Sequence, residues 1–117
     1  MGLTFIEGVV TGPTGKQARV NFLVDGGATY TLLPDAVWRA LELSPKRQMT
    51  FTLADGTTVQ RSISEAHIAL AGEDGTSPVI LGEPGDEALL GAVTLEVLGL
   101  ILNPFKRALQ PMRAMLA

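Results

Sequence analysis

A chain of 117 residues with 46% hydrophobic and 18% charged side chains is long enough for one domain with a real core and too apolar for the disordered class. Its net charge of -3, with scattered basic residues, leaves no electrostatic footprint for nucleic acid; the lack of cysteine excludes disulfides and thiolate metal sites, and one histidine excludes a histidine-rich one. No basic segment precedes an apolar core at the N-terminus and no run approaches the ~18 apolar residues of a membrane helix, so a soluble, cytoplasmic protein of one domain, 1–117, without membrane or nucleic-acid partners is expected.

Leu3 to Val10, rich in β-formers, predicts a first strand, and the turn cluster Thr11-Gly-Pro-Thr-Gly15 sends the chain back along Gln17 to Val24. In that second strand Val20, Phe22 and Val24 alternate with Arg19, Asn21 and Leu23, the period-2 pattern of a strand with one face on a core. Asp25 closes it, and Gly26 and Gly27 let the backbone turn sharply and approach another group closely. An unpaired carboxylate buried there is strongly disfavoured, so Asp25 needs a partner or a chemical role; the plain alternative is an acid capping a turn.

Tyr30 to Leu33 gives a short apolar stretch. Pro34 and Asp35 then mark a helix start, Val37, Trp38 and Leu41 share its apolar face, and Pro45 stops it after about two to three turns. Met49 to Ile63 reads as a hairpin with an exposed tip at Ala54-Asp-Gly-Thr57, since Asp-Gly between alternating segments is a strong turn signal. Glu65 to Leu70 continues as a strand, Ala71 to Pro78 reads as a polar loop, Val79 to Leu81 as a strand and Gly82 to Asp86 as a second loop. After Ala88-Leu-Leu-Gly-Ala-Val93, Thr94 to Leu98 has helical spacing and Gly99 stands where a left-handed cap is needed. Leu100 to Leu102 predicts a buried strand, and Pro111 limits regular structure in the tail from Phe105 to Ala117. The sum is a mainly β domain with one or two short helices. Trp38 reads as core, His67 as a structural or surface residue, Met112 and Met115 as packing residues, and Lys106, Arg107 and Arg113 as a solvated face.

The two halves share an outline of strand, glycine turn and helix, at Leu23-Val-Asp-Gly-Gly-Ala28 and at Leu89-Leu-Gly-Ala92. Val24-Asp-Gly-Gly-Ala-Thr29 resembles the Asp, Thr or Ser, Gly, Ala run of the retropepsin-like aspartic proteases, the single-domain retroviral and bacterial type. Leu89-Leu-Gly91 resembles that family's second landmark, and Leu95-Glu-Val-Leu-Gly-Leu-Ile-Leu-Asn-Pro104 its segment from the late helix to the last core strand. The hairpin at Ala54 to Thr57 takes the place of the flap that covers substrate.

The resemblance implies a closed barrel of short strands and hairpins, and a homodimeric, cofactor-free and metal-free aspartic endopeptidase of acid type acting on peptides or proteins. Asp25 would be catalytic. Gly27, Ala28 and Thr29 of the active loop, and Ala54, Asp55, Gly56 and Thr57 of the flap, would bind substrate. Such hydrolysis uses two carboxylates sharing one proton, because two like charges about 3 Å apart cannot both ionise readily. Asp35, Asp55, Asp74 and Asp86 fall at a helix start, a hairpin tip and loops, where acids serve as caps and turn formers. The second carboxylate is then most simply Asp25 of another copy, related by a two-fold axis. One departure stands out. The family's Thr or Ser after the aspartate bonds across the dimer axis, and Gly26 cannot. This raises the alternative of a non-catalytic retropepsin-like module that dimerises or grips extended peptides. A carboxylate-only metal hydrolase has nothing pointing to it, and no serine sits in a nucleophile elbow.

Overall fold

The computed structural model describes residues 3–113. The first hairpin forms as the alternation predicts: β1 (Phe5–Thr11) and β2 (Gln17–Val24) pair antiparallel from Phe5↔Leu23 to Thr11↔Gln17. Val20, Phe22 and Val24 are buried while Arg19 and Asn21 face out. Next come β3 (Thr31–Leu33) and α1 (Asp35–Ala40), with Pro34 at the N-cap position and Asp35 in the first turn. Leu41 is buried and Val37 and Trp38 pack on the core, so the apolar face is as predicted. The helix has six residues, shorter than expected. Its end is set by Glu42 at φ 59°, which turns the chain so that Leu43 can enter the core, before Pro45 has any influence.

β4 (Arg47–Thr52) and β5 (Thr58–Leu70) form the predicted long hairpin, and β5 runs unbroken through to Leu70. The loop expected over Ala71 to Pro78 is instead a two-residue turn. Ala71 and Gly72 have φ of 51° and 80°, as a tight hairpin of this hand requires, and β6 (Glu73–Leu81) returns against β5 from Leu70↔Glu73 to Ile63↔Ile80. The polar run misleads because Glu73, Asp74 and Thr76 lie exposed on the paired strand and need no apolar side chains there.

β7 (Leu89–Leu90) leads into α2 (Ala92–Leu98), closed by Gly99 at φ 68°, ψ 35°, the left-handed cap that the sequence predicts. β8 (Leu100–Asn103) then pairs with β9 (Ala108–Pro111), a strand in what reads as an irregular tail. Pro111 ends that ribbon rather than preventing it. Of the strand expected to be buried, Leu100 is, whereas Ile101 is 48% exposed. Met112, expected to pack, is instead exposed, and Met115 lies outside the described residues.

The large sheet runs β1-β2-β7-β3-β6-β5-β4, and β1 also pairs with β5, which closes six strands into a ring and leaves β4 as an edge. This is the expected closed barrel with two short helices. Phe22, Leu33, Ile68, Val79, Leu90 and Leu100 fill it. Each such side chain contributes about 1.5–3 kcal/mol on burial, whereas exposed, solvent-screened ion pairs such as Lys16–Glu42 and Arg19–Glu7 contribute little. The apolar interior holds the fold. Among the described residues, no helix is long and apolar enough to cross a membrane.

Candidate active site

Asp25 follows directly from β2. Its N–H donates to Leu90 O (3.2 Å) and its carbonyl accepts from Ala28 N–H (3.1 Å), so residues 25–28 form a tight turn on top of β7. Gly27 N–H donates to Asp25 Oδ1 (2.9 Å), which fixes the carboxylate. The side chain is half-buried and Gly26 and Gly27 are exposed. The desolvation expected of a buried acid is therefore partial, and the carboxylate is presented at the surface on an ordered turn.

The second landmark lies behind this turn because β2 and β7 run parallel, Val24 opposite Leu90. A Cβ on Gly91 would sit 2.5 Å from Tyr30 C and 2.7 Å from both Thr29 O and Tyr30 O, so the loop crosses Gly91 at backbone contact. α2 begins there without a side-chain cap. Its first amides are satisfied by the loop instead: Ala92 N–H donates to Ala28 O and Val93 N–H to Thr29 O, each at 2.9 Å. Ala28 and Thr29 thus belong to the Asp25 turn and cap α2. Beneath them lies a buried hydroxyl group that sequence reasoning misses, Thr31, Ser77 and Thr94, from β3, β6 and α2. The available signal was the two threonines within apolar segments, Thr31 and Thr94, whereas Ser77 was obscured by the loop reading.

The tip residues Ala54, Asp55, Gly56 and Thr57 are exposed and bond among themselves rather than to the Asp25 turn. Leu53 N–H donates to Thr57 O (2.7 Å), and Gly56, at φ 89°, donates to Leu53 O (2.9 Å). Below the tip, Met49, Phe51 and Val59 are half-buried while Thr50, Thr52 and Gln60 are exposed, so the hairpin has one apolar face. The Phe51 ring meets Tyr30 edge to face, with centroids 6.1 Å apart, and this contact ties the hairpin to the Asp25 loop.

Asp55 Oδ1 accepts the hydroxyl of Thr57 (2.6 Å) and its amide (2.9 Å), and these bonds, the hydroxyl first, hold the carboxyl below the ordinary aspartate range. A depressed folded-state value means that the tip gains this stabilisation above the unfolded value and loses it only as pH falls through the lower folded one. An NMR titration should show Thr57 N–H and the Asp55 carboxyl moving together with a midpoint below the ~3.9 of free aspartate, and Thr57→Val should raise that midpoint. A midpoint at or above the free value would show the turn to be unformed.

A cleft of about 470 Å³ lies elsewhere, between α1, the hairpin root and residues 81–84. Its acids are each tied to an arginine, Asp35 to Arg39 and Glu83 to Arg61, so it offers no pair of free carboxylates. His67 pairs with Asp74 (3.0 Å) on the exposed strands β5 and β6. Leu3 (68% exposed), Phe105 (97%) and Leu102 line a shallow groove with Val24, the residue before Asp25, so apolar surface borders the Asp25 turn.

Residues 12–97 match the family described as gag-polyprotein putative aspartyl protease, a span that includes the Asp25 turn, the hairpin and Gly91. Among solved structures, the protease of Simian Foamy Virus (mac), a solution structure, aligns with a TM-score of 0.57 and 20% identity, covering 79% of this chain and 91% of that one. Likeness at that identity establishes a shared fold. No curated protein matches the sequence.

Proposed function

The chain belongs to the gag-polyprotein putative aspartyl protease family, and from that membership we propose that it is an aspartic endopeptidase whose site is completed by a second copy, each subunit supplying one Asp25. The observation that carries this reading is the Asp25 carboxylate, fixed by Gly27 N–H on an ordered, surface turn beside exposed apolar groups. Apolar surface of this kind marks an interaction site, and self-association about a two-fold axis brings the two turns together. The pair then holds one proton. One carboxylate takes a proton from the attacking water while the other gives its proton to the carbonyl oxygen of the peptide. Gly27, Ala28 and Thr29 present backbone to the substrate, and the hairpin tip, residues 54–57, covers an extended peptide by strand-like hydrogen bonds.

The test is cleavage of a complex peptide mixture, read by mass spectrometry between about pH 4 and 7, with Asp25→Asn as the matched control. Cuts by the native protein alone support the enzyme. No cuts by a folded, dimeric native protein would leave the second reading, a dimerisation or peptide-binding module, which Gly26 favours.

Gly26 also yields a gain-of-function prediction. A Cβ there meets nothing within 4 Å, and its φ lies outside the left-handed region, so threonine fits. Gly26→Thr restores the hydroxyl that retropepsin-like proteases use across the dimer axis. Two symmetry-related bonds at about 0.5–1.5 kcal/mol each should tighten the dimer by roughly 5- to 150-fold. Sedimentation over a dilution series reads this directly, and an unchanged dissociation constant would show that Gly26 is not the weak point.

A further inference from the structure

The buried hydroxyls have a direction. Ser77 donates to Pro78 O (3.1 Å), which uses its single proton, so the 2.7 Å bond between Ser77 and Thr94 must be donated by Thr94. That uses the Thr94 proton, so the 2.6 Å bond between Thr31 and Thr94 must be donated by Thr31. Thr31 Oγ1 in turn accepts Gly91 N–H at 3.0 Å. A one-way chain therefore runs from Gly91 N–H through Thr31, Thr94 and Ser77 to Pro78 O. Each hydroxyl gives one bond and takes one, and among the described residues no buried side-chain polar atom lacks a partner. Thr31, Thr94 and Ser77 are each fully or almost fully shielded from solvent, where such bonds reinforce one another and an unpaired member is costly.

The chain begins at the residue that the Asp25 loop crosses. Gly91 touches Thr29 and Tyr30 at backbone distance, and the next two amides hold Ala28 O and Thr29 O. Whatever fixes Gly91 fixes the loop. We infer that Thr94 is a positioning residue for the Asp25 turn, acting through Thr31 and Gly91, with Ser77 anchoring the relay to β6. This rests on the aspartic protease reading for its kinetic consequence, but its structural consequence stands apart from activity.

Two variants separate the hydroxyl from the shape. Thr94→Val keeps the branched form and removes the relay; Thr94→Ser keeps the hydroxyl. In Thr94→Val, at a temperature where the protein is folded and dimeric, kcat should fall about tenfold or more, since loop displacements of a fraction of an ångström up to 1 Å carry such costs. KM should stay within about twofold, and a statine-type peptide that mimics the transition state should lose affinity in step with kcat/KM. Thr94→Ser should remain within about threefold of the native enzyme on all three measures. Independently of turnover, Thr94→Val and not Thr94→Ser should speed hydrogen exchange at Gly91, Ala92 and Val93 and shift the Gly27 amide resonance. Should the native protein not cleave at all, the protease reading fails, and these amide measurements still decide the inference. It is overturned if Thr94→Val leaves kcat and those amides at native values, if Thr94→Ser is as damaging as Thr94→Val, or if the loss lies in KM alone.

Discussion

Asp25→Asn, added in tenfold excess, is expected to reduce the activity of the native protein to about a tenth, and alone to be lower than native by about 10³-fold. The single-variant loss follows from the chemistry. An amide can neither take the proton of the attacking water nor share a proton with its partner, and general acid-base steps of this kind contribute about 10²–10⁴. The fold should survive, because asparagine keeps the Oδ1 atom to which Gly27 N–H donates. The mixing result discriminates more sharply. If each site needs Asp25 from two copies and subunits exchange freely, a native subunit surrounded by tenfold excess variant finds a native partner about one time in eleven. An enzyme complete within one chain would show no such suppression. Undiminished native activity in the mixture, with exchange verified by mass-tagged subunits, would rule out the two-copy site while leaving Asp25 itself as catalytic.

How much of this was legible beforehand depended on whether a residue's role is local. The period-2 burial of Val20, Phe22 and Val24 and the left-handed cap at Gly99 follow from the chain's own neighbours, and both stand where the sequence places them. So does the hairpin tip at Ala54 to Thr57, set by Asp-Gly. Long-range facts were hidden. Glu73, Asp74 and Thr76 are polar because they face solvent, and only the pairing of their segment with β5 reveals it as a strand. β9 exists because β8 offers it an edge. The end of α1 depends on Leu43 reaching the core, which no cap residue announces.

The candidate site shows the same division. Asp25, Gly26, Gly27 and Ala28 are contiguous, and their cluster was visible as a motif. The relation of that cluster to Leu89-Leu-Gly91 arises from parallel pairing of strands more than sixty residues apart in sequence, Leu23 with Leu89 and Val24 with Leu90. This pairing explains the outline shared by the two halves: each strand and glycine turn needs the other to stack against. Thr31, Ser77 and Thr94 converge only once that stack is built, and a hydroxyl in a strand, a turn-like run and a helix carries no joint signal before then.

Gly91→Ala should therefore be far more damaging than its size suggests. Its φ of -98° and ψ of 169° suit any residue, so no dihedral strain is involved, and the loss of glycine freedom from the unfolded chain would by itself stabilise by about 0.4–1 kcal/mol. Sterics decide the sign. The new methyl lies 2.5 Å from Tyr30 C and 2.7 Å from two carbonyl oxygens, all backbone, so no rotamer change relieves it. Reaching ordinary contact at 3.4 Å needs a retreat of about 0.9 Å by the loop that carries Asp25. Overpacking of this kind costs about 1–3 kcal/mol, and the retreat also stretches the bonds from Ala92 and Val93 to the loop carbonyls. The net expectation is a melting temperature lower by roughly 5–15 °C and, in protein still folded at the assay temperature, cleavage reduced about a hundredfold. Gly26→Ala is the control, since its Cβ enters open space and should leave stability unchanged or slightly raised. If calorimetry finds Gly91→Ala as stable as that control, the loop does not cross Gly91 at contact distance, and the mechanical link between α2 and Asp25 is lost with it.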